Sequence, residues 1–307
     1  MIEITNLSKY YGRLGAVVGL NLHIAPGEIF GFIGPNGAGK TTTMRVLATL
    51  LAPTAGLASI DGFNVVKQGR EVRRRIGYMP DFMGVYDDLK VFEYLEFFAA
   101  AYKIPLRQRA AIIDGVLELT DLTGKRAALV DSLSRGMQQR LQLARVLVHD
   151  PKVLILDEPA SGLDPRARIE IRELLKELKR MGKTIMISSH ILSELAELCD
   201  RFGIIERGRL IFDGTLDEIR RRMGLQNKVR VRVADRPEEA AAVLAALPQV
   251  AEARVVQDTV MVTLADGSTD APVAETLVRG GFRLLALQPE EVKLDDAFMA
   301  LTEGKVQ

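Results

Sequence analysis

The apolar residues of this chain fall into two rhythms. Glu28 to Ile33, Val153 to Leu156 and Thr184 to Ser188 are short, nearly unbroken apolar runs bounded by turn residues. Runs of that length and continuity predict strands buried on both faces, as in a parallel sheet flanked by helices. Pro165 to Met181 has the other rhythm. Ile171, Leu174, Leu175 and Leu178 fall on one stripe, and Gly182 follows the last turn. That spacing predicts an amphipathic helix with a glycine stop. Arg107 to Leu122 reads as a second helix. A third opens at Ser134, a good N-cap, and runs to His149 before Asp150-Pro151 ends it.

Shorter signals fill the gaps. Ile2 to Thr5 and Leu20 to Ile24 read as strands about a polar turn at Tyr10-Tyr11-Gly12. Leu57 to Ile60 with Asp61-Gly62 is a hairpin signal, as is Gly203 to Glu206 with Arg209 to Phe212 around Arg207-Gly208. Ile76 to Asp81 reads as a strand stopped by proline. Arg70 to Arg75 reads as a solvated basic helix face. A polar helix ends near Met223-Gly224. From Lys228 the pattern changes. Val229, Val231 and Val233 alternate as a strand, and Pro237 to Leu247 is helical. Ala253 to Gln257 and Val260 to Leu264 are strands, Ala271 to Gly280 is helical, and Arg283 to Leu287 is a strand. That βαββαβ order predicts a small ferredoxin-like unit. Leu294 to Thr302 reads as a closing helix. Two domains are expected, 1–223 and 228–307.

Between the first buried strand and the next helix stands Gly34-Pro35-Asn36-Gly37-Ala38-Gly39-Lys40-Thr41-Thr42. It fits the phosphate-loop pattern at every fixed position, in strand–loop–helix context. The glycines let backbone N–H groups turn inward, and the helix N-terminus adds partial positive charge. Lys40 would reach the β- and γ-phosphates of a nucleotide, and the Thr41 hydroxyl would bind Mg²⁺. Asp157-Glu158 is the second chemical signal. These acids end a buried parallel strand, which is where such sheets place ligands. His190 lies just beyond the third buried run.

Composition narrows the setting. The 307 residues carry a net charge of +1, so nothing global points to a nucleic-acid partner. From Lys228 onward there are 9 Lys and Arg against 13 Asp and Glu, a balance of −4, while the rest carries 32 against 27, or +5. The single cysteine, Cys199, excludes an internal disulfide framework and suits a reducing compartment. Met1 to Thr5 predicts no secretion signal, and no apolar run of about 18 residues predicts a membrane span. Seven of the 17 aromatics lie between Phe82 and Tyr102, and they serve either a core or a groove for a partner helix.

With these residues in order, residues 1–223 resemble the nucleotide-binding subunits of ABC transporters. Tyr11 matches the family's adenine-stacking aromatic, and Gly34 to Thr41 its Walker A motif. Leu133-Ser134-Arg135-Gly136-Met137 occupies the signature motif. Val153 to Glu158 matches Walker B and the catalytic glutamate, Ser161 to Asp164 the D-loop, and His190 the switch histidine. Three positions depart from the pattern. Asp81 stands where the family carries glutamine, and Arg135 and Met137 replace glycine and glutamine in the signature. The signature wording resembles the exporter branch, whose membrane subunit is a separate chain.

The resemblance implies an α/β fold for residues 1–223: a P-loop, RecA-like core with a helical subdomain and an N-terminal antiparallel β subdomain; the strand and helix pattern adds the ferredoxin-like α+β domain after it. It implies ATP hydrolysis with Mg²⁺ held by Thr41, Asp157 and Asp81. Pro35, Asn36, Gly37, Ala38, Gly39, Lys40 and Thr42 would cradle the phosphates. Glu158 would orient the attacking water, and His190 would contact the γ-phosphate. Ser134, Gly136 and Met137 would act in trans, on nucleotide bound by a second ATPase subunit. Expected partners are that second subunit, ATP and an integral membrane permease, with no nucleic acid. The expected location is the cytoplasmic side of the membrane. Two other readings use the same cassette: a soluble ABC ATPase working on ribosomes or nucleic acid, and import. The tail is either a regulatory or dimer-contact module or a packing appendage.

Overall fold

The computed structural model describes residues 1–81, 88–222, 228–265 and 267–289. Phe82, Tyr86, the stop at Met223-Gly224 and the helix expected over Leu294 to Thr302 lie outside them. The chain divides into two compact units, one of Met1–Leu216 and one that begins at Asp217.

The first unit starts with two long strands, β1 (Ile2–Tyr11) and β2 (Leu14–Ile24). Both are longer than the apolar pattern indicates, because partly polar residues near the turn pair as Tyr11 with Leu14 and Lys9 with Val17. There follow β3 (Ile29–Ile33), α1 (Lys40–Leu47), β4 (Ala55–Ile60), β5 (Phe63–Asn64), α2 (Gly69–Arg73) and β6 (Ile76–Met79). Three helices come next, α3 (Val91–Ala101), α4 (Leu106–Leu119) and α5 (Arg135–Leu147). The remainder is β7 (Val153–Leu156), α6 (Pro165–Arg180), β8 (Thr184–Ser189), α7 (Leu192–Leu195), β9 (Arg201–Glu206) and β10 (Arg209–Gly214).

These strands form two sheets. One is antiparallel, in the order β2-β1-β4-β5. The other runs β10-β9-β3-β8-β7-β6, with β9, β3, β8, β7 and β6 parallel and β10 antiparallel at one edge. Every residue of β3, β7 and β8 is buried, which is why these segments read as continuous apolar runs. Ile4, Leu20, Leu22, Phe30, Met44, Ile60, Ile155 and Met186 join both sheets and α1 in one core. Each such side chain contributes roughly 1.5–3 kcal/mol by leaving water. The stripe of α6 also buries as its spacing requires, with Ile171, Leu174, Leu175 and Leu178 inside.

The aromatic segment is part core and part surface. Tyr94 is wholly buried in α3, whereas Phe97 and Tyr102 are 52% and 42% exposed. Tyr102 stacks on His149, with ring centroids 3.7 Å apart and planes 6° from parallel. His149 Nε2 lies 2.9 Å from Ile76 O, while its Nδ1 is buried without a hydrogen-bond partner. Burial therefore pushes the His149 pKa down, against the opposing pull of the Ile76 carbonyl. The unfolded chain binds this proton more readily than the folded one. Stability tied to His149 is thus complete above the unfolded pKa of about 6.5 and declines as pH falls through the folded pKa. His149→Gln should flatten this dependence. The urea midpoint of the wild type should drop more between pH 7.5 and 5.5 than that of the variant; equal drops would remove His149 as the cause.

The second unit contains β11 (Lys228–Val233), α9 (Pro237–Ala245), β12 (Val250–Val256), β13 (Thr259–Leu264), α10 (Ala271–Arg279) and β14 (Leu284–Pro289). The preceding helix, α8 (Leu216–Arg222), lies where the two units meet in sequence. The sheet is antiparallel, in the order β12-β13-β11-β14, the ferredoxin-like arrangement. Its core is Val229, Val231, Val233, Val260, Val262 and Leu264 from the strands, with Ala240, Leu244, Val273 and Leu277 from the helices.

Candidate functional site

The parallel strands aim their carboxyl ends at one place. Gly34 follows β3, Asp81 follows β6, Asp157 and Glu158 follow β7, and His190 follows β8. A cleft of about 470 Å³ lies there, lined by Tyr11, Pro35 to Thr42, Asp81, Glu158, Ser161 and His190. Tyr11 is half-exposed at its rim.

The loop from Gly34 to Gly39 is braced by neighbouring backbone. A Cβ on Gly34 would come within 2.3 Å of Ile205 O. One on Gly39, whose φ is +109°, would come within 2.4 Å of Ala16 O. Neither position accepts a side chain without displacing main chain. Gly208 N donates to Ala38 O at 2.9 Å, and Ala38 N to Pro35 O at 3.1 Å. The turn thus keeps its shape before α1 opens at Lys40.

Lys40 is buried, with its Nζ donating to Gly34 O at 2.6 Å and Pro35 O at 3.3 Å. The same nitrogen lies 3.3 Å from Glu158 Oε1. The other oxygen of Glu158, Oε2, lies 2.8 Å from His190 Nδ1. Glu158 therefore bridges Lys40 and His190. Its own backbone is left-handed, with φ of +48°, a conformation sparse for non-glycine residues. Two bonds hold it there: Ser188 Oγ accepts from Glu158 N at 2.9 Å, and Glu158 O accepts from Ser161 N at 3.0 Å.

Ser188 also donates from its Oγ to Asp157 Oδ1 at 2.6 Å. One hydroxyl on β8 thus fixes both acids at the end of β7. Asp157 Oδ2 is buried with no partner. A buried, unpaired carboxylate oxygen beside a phosphate loop fits a divalent cation. Among the described residues no three His, Cys, Asp or Glu side chains form a metal cluster. Asp81 lines the cleft, and its pKa is raised. Burial is the first cause and the charges of Glu158 and Asp157 the next, with Arg135 and Lys40 opposing.

Ser134, Gly136 and Met137 are not among the residues lining this cleft. They form the start of α5, where Ser134 Oγ caps the helix by accepting from Met137 N at 3.4 Å. Gly136 packs close to α6, since a Cβ there would lie 3.1 Å from Ala167 Cβ. Ser188 is a site residue that no sequence motif singles out. Its signal was a hydroxyl at the carboxyl end of an otherwise apolar buried run.

The model of the ABC transporter family matches residues 17–161. The Nod factor export ATP-binding protein I of Paraburkholderia xenovorans (strain LB400) is 45% identical over 213 residues, 69% of this chain and 70% of that protein. The bacitracin transport ATP-binding protein of Bacillus licheniformis is 37% identical over 305 residues, 99% of this chain and 98% of that one. Among solved structures, a dimeric bacterial ABC transporter cassette superposes with a TM-score of 0.64 at 27% identity, over 70% of this chain and 99% of its own. On its fold, its phosphate loop and this kinship, the chain belongs to the ATP-binding subunits of ABC transporters.

Proposed function

We propose that this chain hydrolyses ATP to drive export through a separate membrane permease, working as one of a pair of ATPase subunits. The observation that carries the reading is the Lys40–Glu158–His190 bridge at the mouth of the phosphate loop. Lys40 and the loop amides would hold the β- and γ-phosphates. A Mg²⁺ ion held by Asp157 and Thr41, with Asp81 close by, would supply charge neutralisation. Glu158 would orient and polarise a water in line with the γ-phosphorus. His190, hydrogen-bonded to Glu158 through Nδ1, would contact the γ-phosphate and lock the geometry. Ser134, Gly136 and Met137, away from this chain's cleft, would serve the partner's nucleotide through the N-terminus of α5. The dimeric relative supports pairing, the two transport proteins support coupling to a permease, and the Nod factor export protein supports the direction of export.

No described helix is long and apolar enough to cross a membrane. A peripheral place on the cytoplasmic face, docked to the permease, follows from the proposal. The net charge of +1 favours a protein partner over nucleic acid. ATP chemistry is assigned to residues 1–223, and 228–307 are read as an accessory domain.

The test is a pull-down from detergent-solubilised native membranes with the Glu158→Gln variant held in ATP. A co-purifying protein with about six apolar spans is expected. Recovery of ribosomes or soluble proteins alone would move the cassette out of transport.

A further inference from the structure

Two side chains of α5 reach one short loop. Gln139 is buried, and its Nε2 donates to Pro159 O at 2.7 Å. Arg135, one turn earlier, donates from Nη2 to Ser161 O at 3.4 Å. Residues four apart share a helix face, and these two meet carbonyls two apart in the loop. The Arg135 guanidinium also packs against Gly162. The φ there is +66°, and a Cβ would come within 2.3 Å of Arg135 Nη2 and 2.5 Å of its Cζ. Only a glycine at 162 leaves that guanidinium in place. The loop leads straight out of Glu158, whose carbonyl accepts from Ser161 N at 3.0 Å.

We propose that Arg135 and Gln139 are positioning residues, a two-point clamp by which α5 fixes the Pro159–Gly162 loop and, through Ser161, the left-handed backbone of Glu158. The proposal rests on the reading of Glu158 as the residue that activates water. Gln139 is the buried anchor. Arg135 covers the loop from outside, and its broad fork does what a lysine ammonium cannot: it packs against Gly162 and donates to the Ser161 carbonyl from the same group. The clamp ties the first turn of α5 to a loop lining the cleft of the same chain. A second subunit would then meet both as one rigid piece.

The test pairs amide hydrogen exchange with steady-state ATPase kinetics on the full chain. Without nucleotide, Arg135→Ala should speed exchange at Ser161 and Leu163 at least threefold and leave residues 34–42 unchanged. In ATPase assays kcat should fall about tenfold, with KM for ATP within twofold. Arg135→Lys should restore neither; full rescue would assign the effect to charge and overturn the role of the guanidinium's shape. Gly162→Ala should evict the guanidinium and lower kcat alike, and Arg135→Ala/Gly162→Ala should be no slower than the slower single variant. Multiplicative losses would overturn the contact. Unchanged exchange in Arg135→Ala overturns the clamp, and faster exchange with wild-type kcat overturns its hold on Glu158. A wild-type chain that does not hydrolyse ATP overturns the ATPase reading, while exchange still decides the clamp.

Discussion

Glu158→Gln is expected to lower ATP hydrolysis by roughly 10²–10⁴-fold, the usual range for losing a positioned general base. ATP affinity should stay within a few-fold of wild type. The geometry explains why the two quantities separate. Glutamine keeps the length and shape of glutamate, so its oxygen can still accept from Lys40 Nζ, 3.3 Å from Oε1 in the wild type. Its amide nitrogen can face His190 Nδ1 at the position Oε2 holds, 2.8 Å away. What disappears is the negative charge that pulls a proton from water. With binding intact and hydrolysis stopped, ATP should hold two subunits together. Phosphate-release assays and size-exclusion chromatography in ATP measure the two effects. Hydrolysis at the wild-type rate would remove Glu158 from the mechanism.

Lys40→Ala acts on binding instead. One charged contact to phosphate is worth roughly 1.5–3 kcal/mol, so nucleotide affinity should fall about 10–100-fold and hydrolysis with it. The substitution also costs stability. Lys40 and Glu158 are only 5% and 14% exposed, and removing one partner of a buried pair leaves the other charge uncompensated. His190 stays hydrogen-bonded to Glu158 and softens that cost. Titration with a fluorescent ATP analogue reads affinity, and circular dichroism confirms that the variant is folded. Lys40→Met, which keeps the aliphatic stem, should lose affinity to the same degree. Wild-type affinity in either folded variant would count against the phosphate-loop reading.

Much of the fold was legible because parallel strands advertise themselves. Val153 to Leu156 is apolar at each position because both faces of β7 are covered. The phosphate loop was legible because its chemistry demands glycine, lysine and threonine at fixed spacing. Strand length at the β1–β2 end was less so, since main-chain pairing there carries partly polar residues. The left-handed φ of Glu158 and the double role of Ser188 were not legible at all. Both depend on β7 and β8 lying side by side, in register from Val153 with Thr184 to Leu156 with Ile187. A sequence lists Ser188 31 residues from Asp157, and only the sheet brings them to hydrogen-bonding distance. The aromatic segment divided between core and surface because helical periodicity sends neighbours such as Leu95 and Phe97 to opposite sides.

The bracing of the phosphate loop bears on where the chain tolerates a tag or a circular break. Hairpin tips are ordinarily the safest places for insertion. The turn at Arg207-Gly208 is such a tip, yet it holds the loop from behind: Gly208 N donates to Ala38 O, and Gly208 O accepts from Val18 N at 2.8 Å. Foreign residues spliced there would loosen the walls against which Gly34 and Gly39 rest. The stop after α6 is the better graft point, because Gly182 has open space around it: beyond its own chain neighbours, nothing lies within 4 Å of where a Cβ would stand.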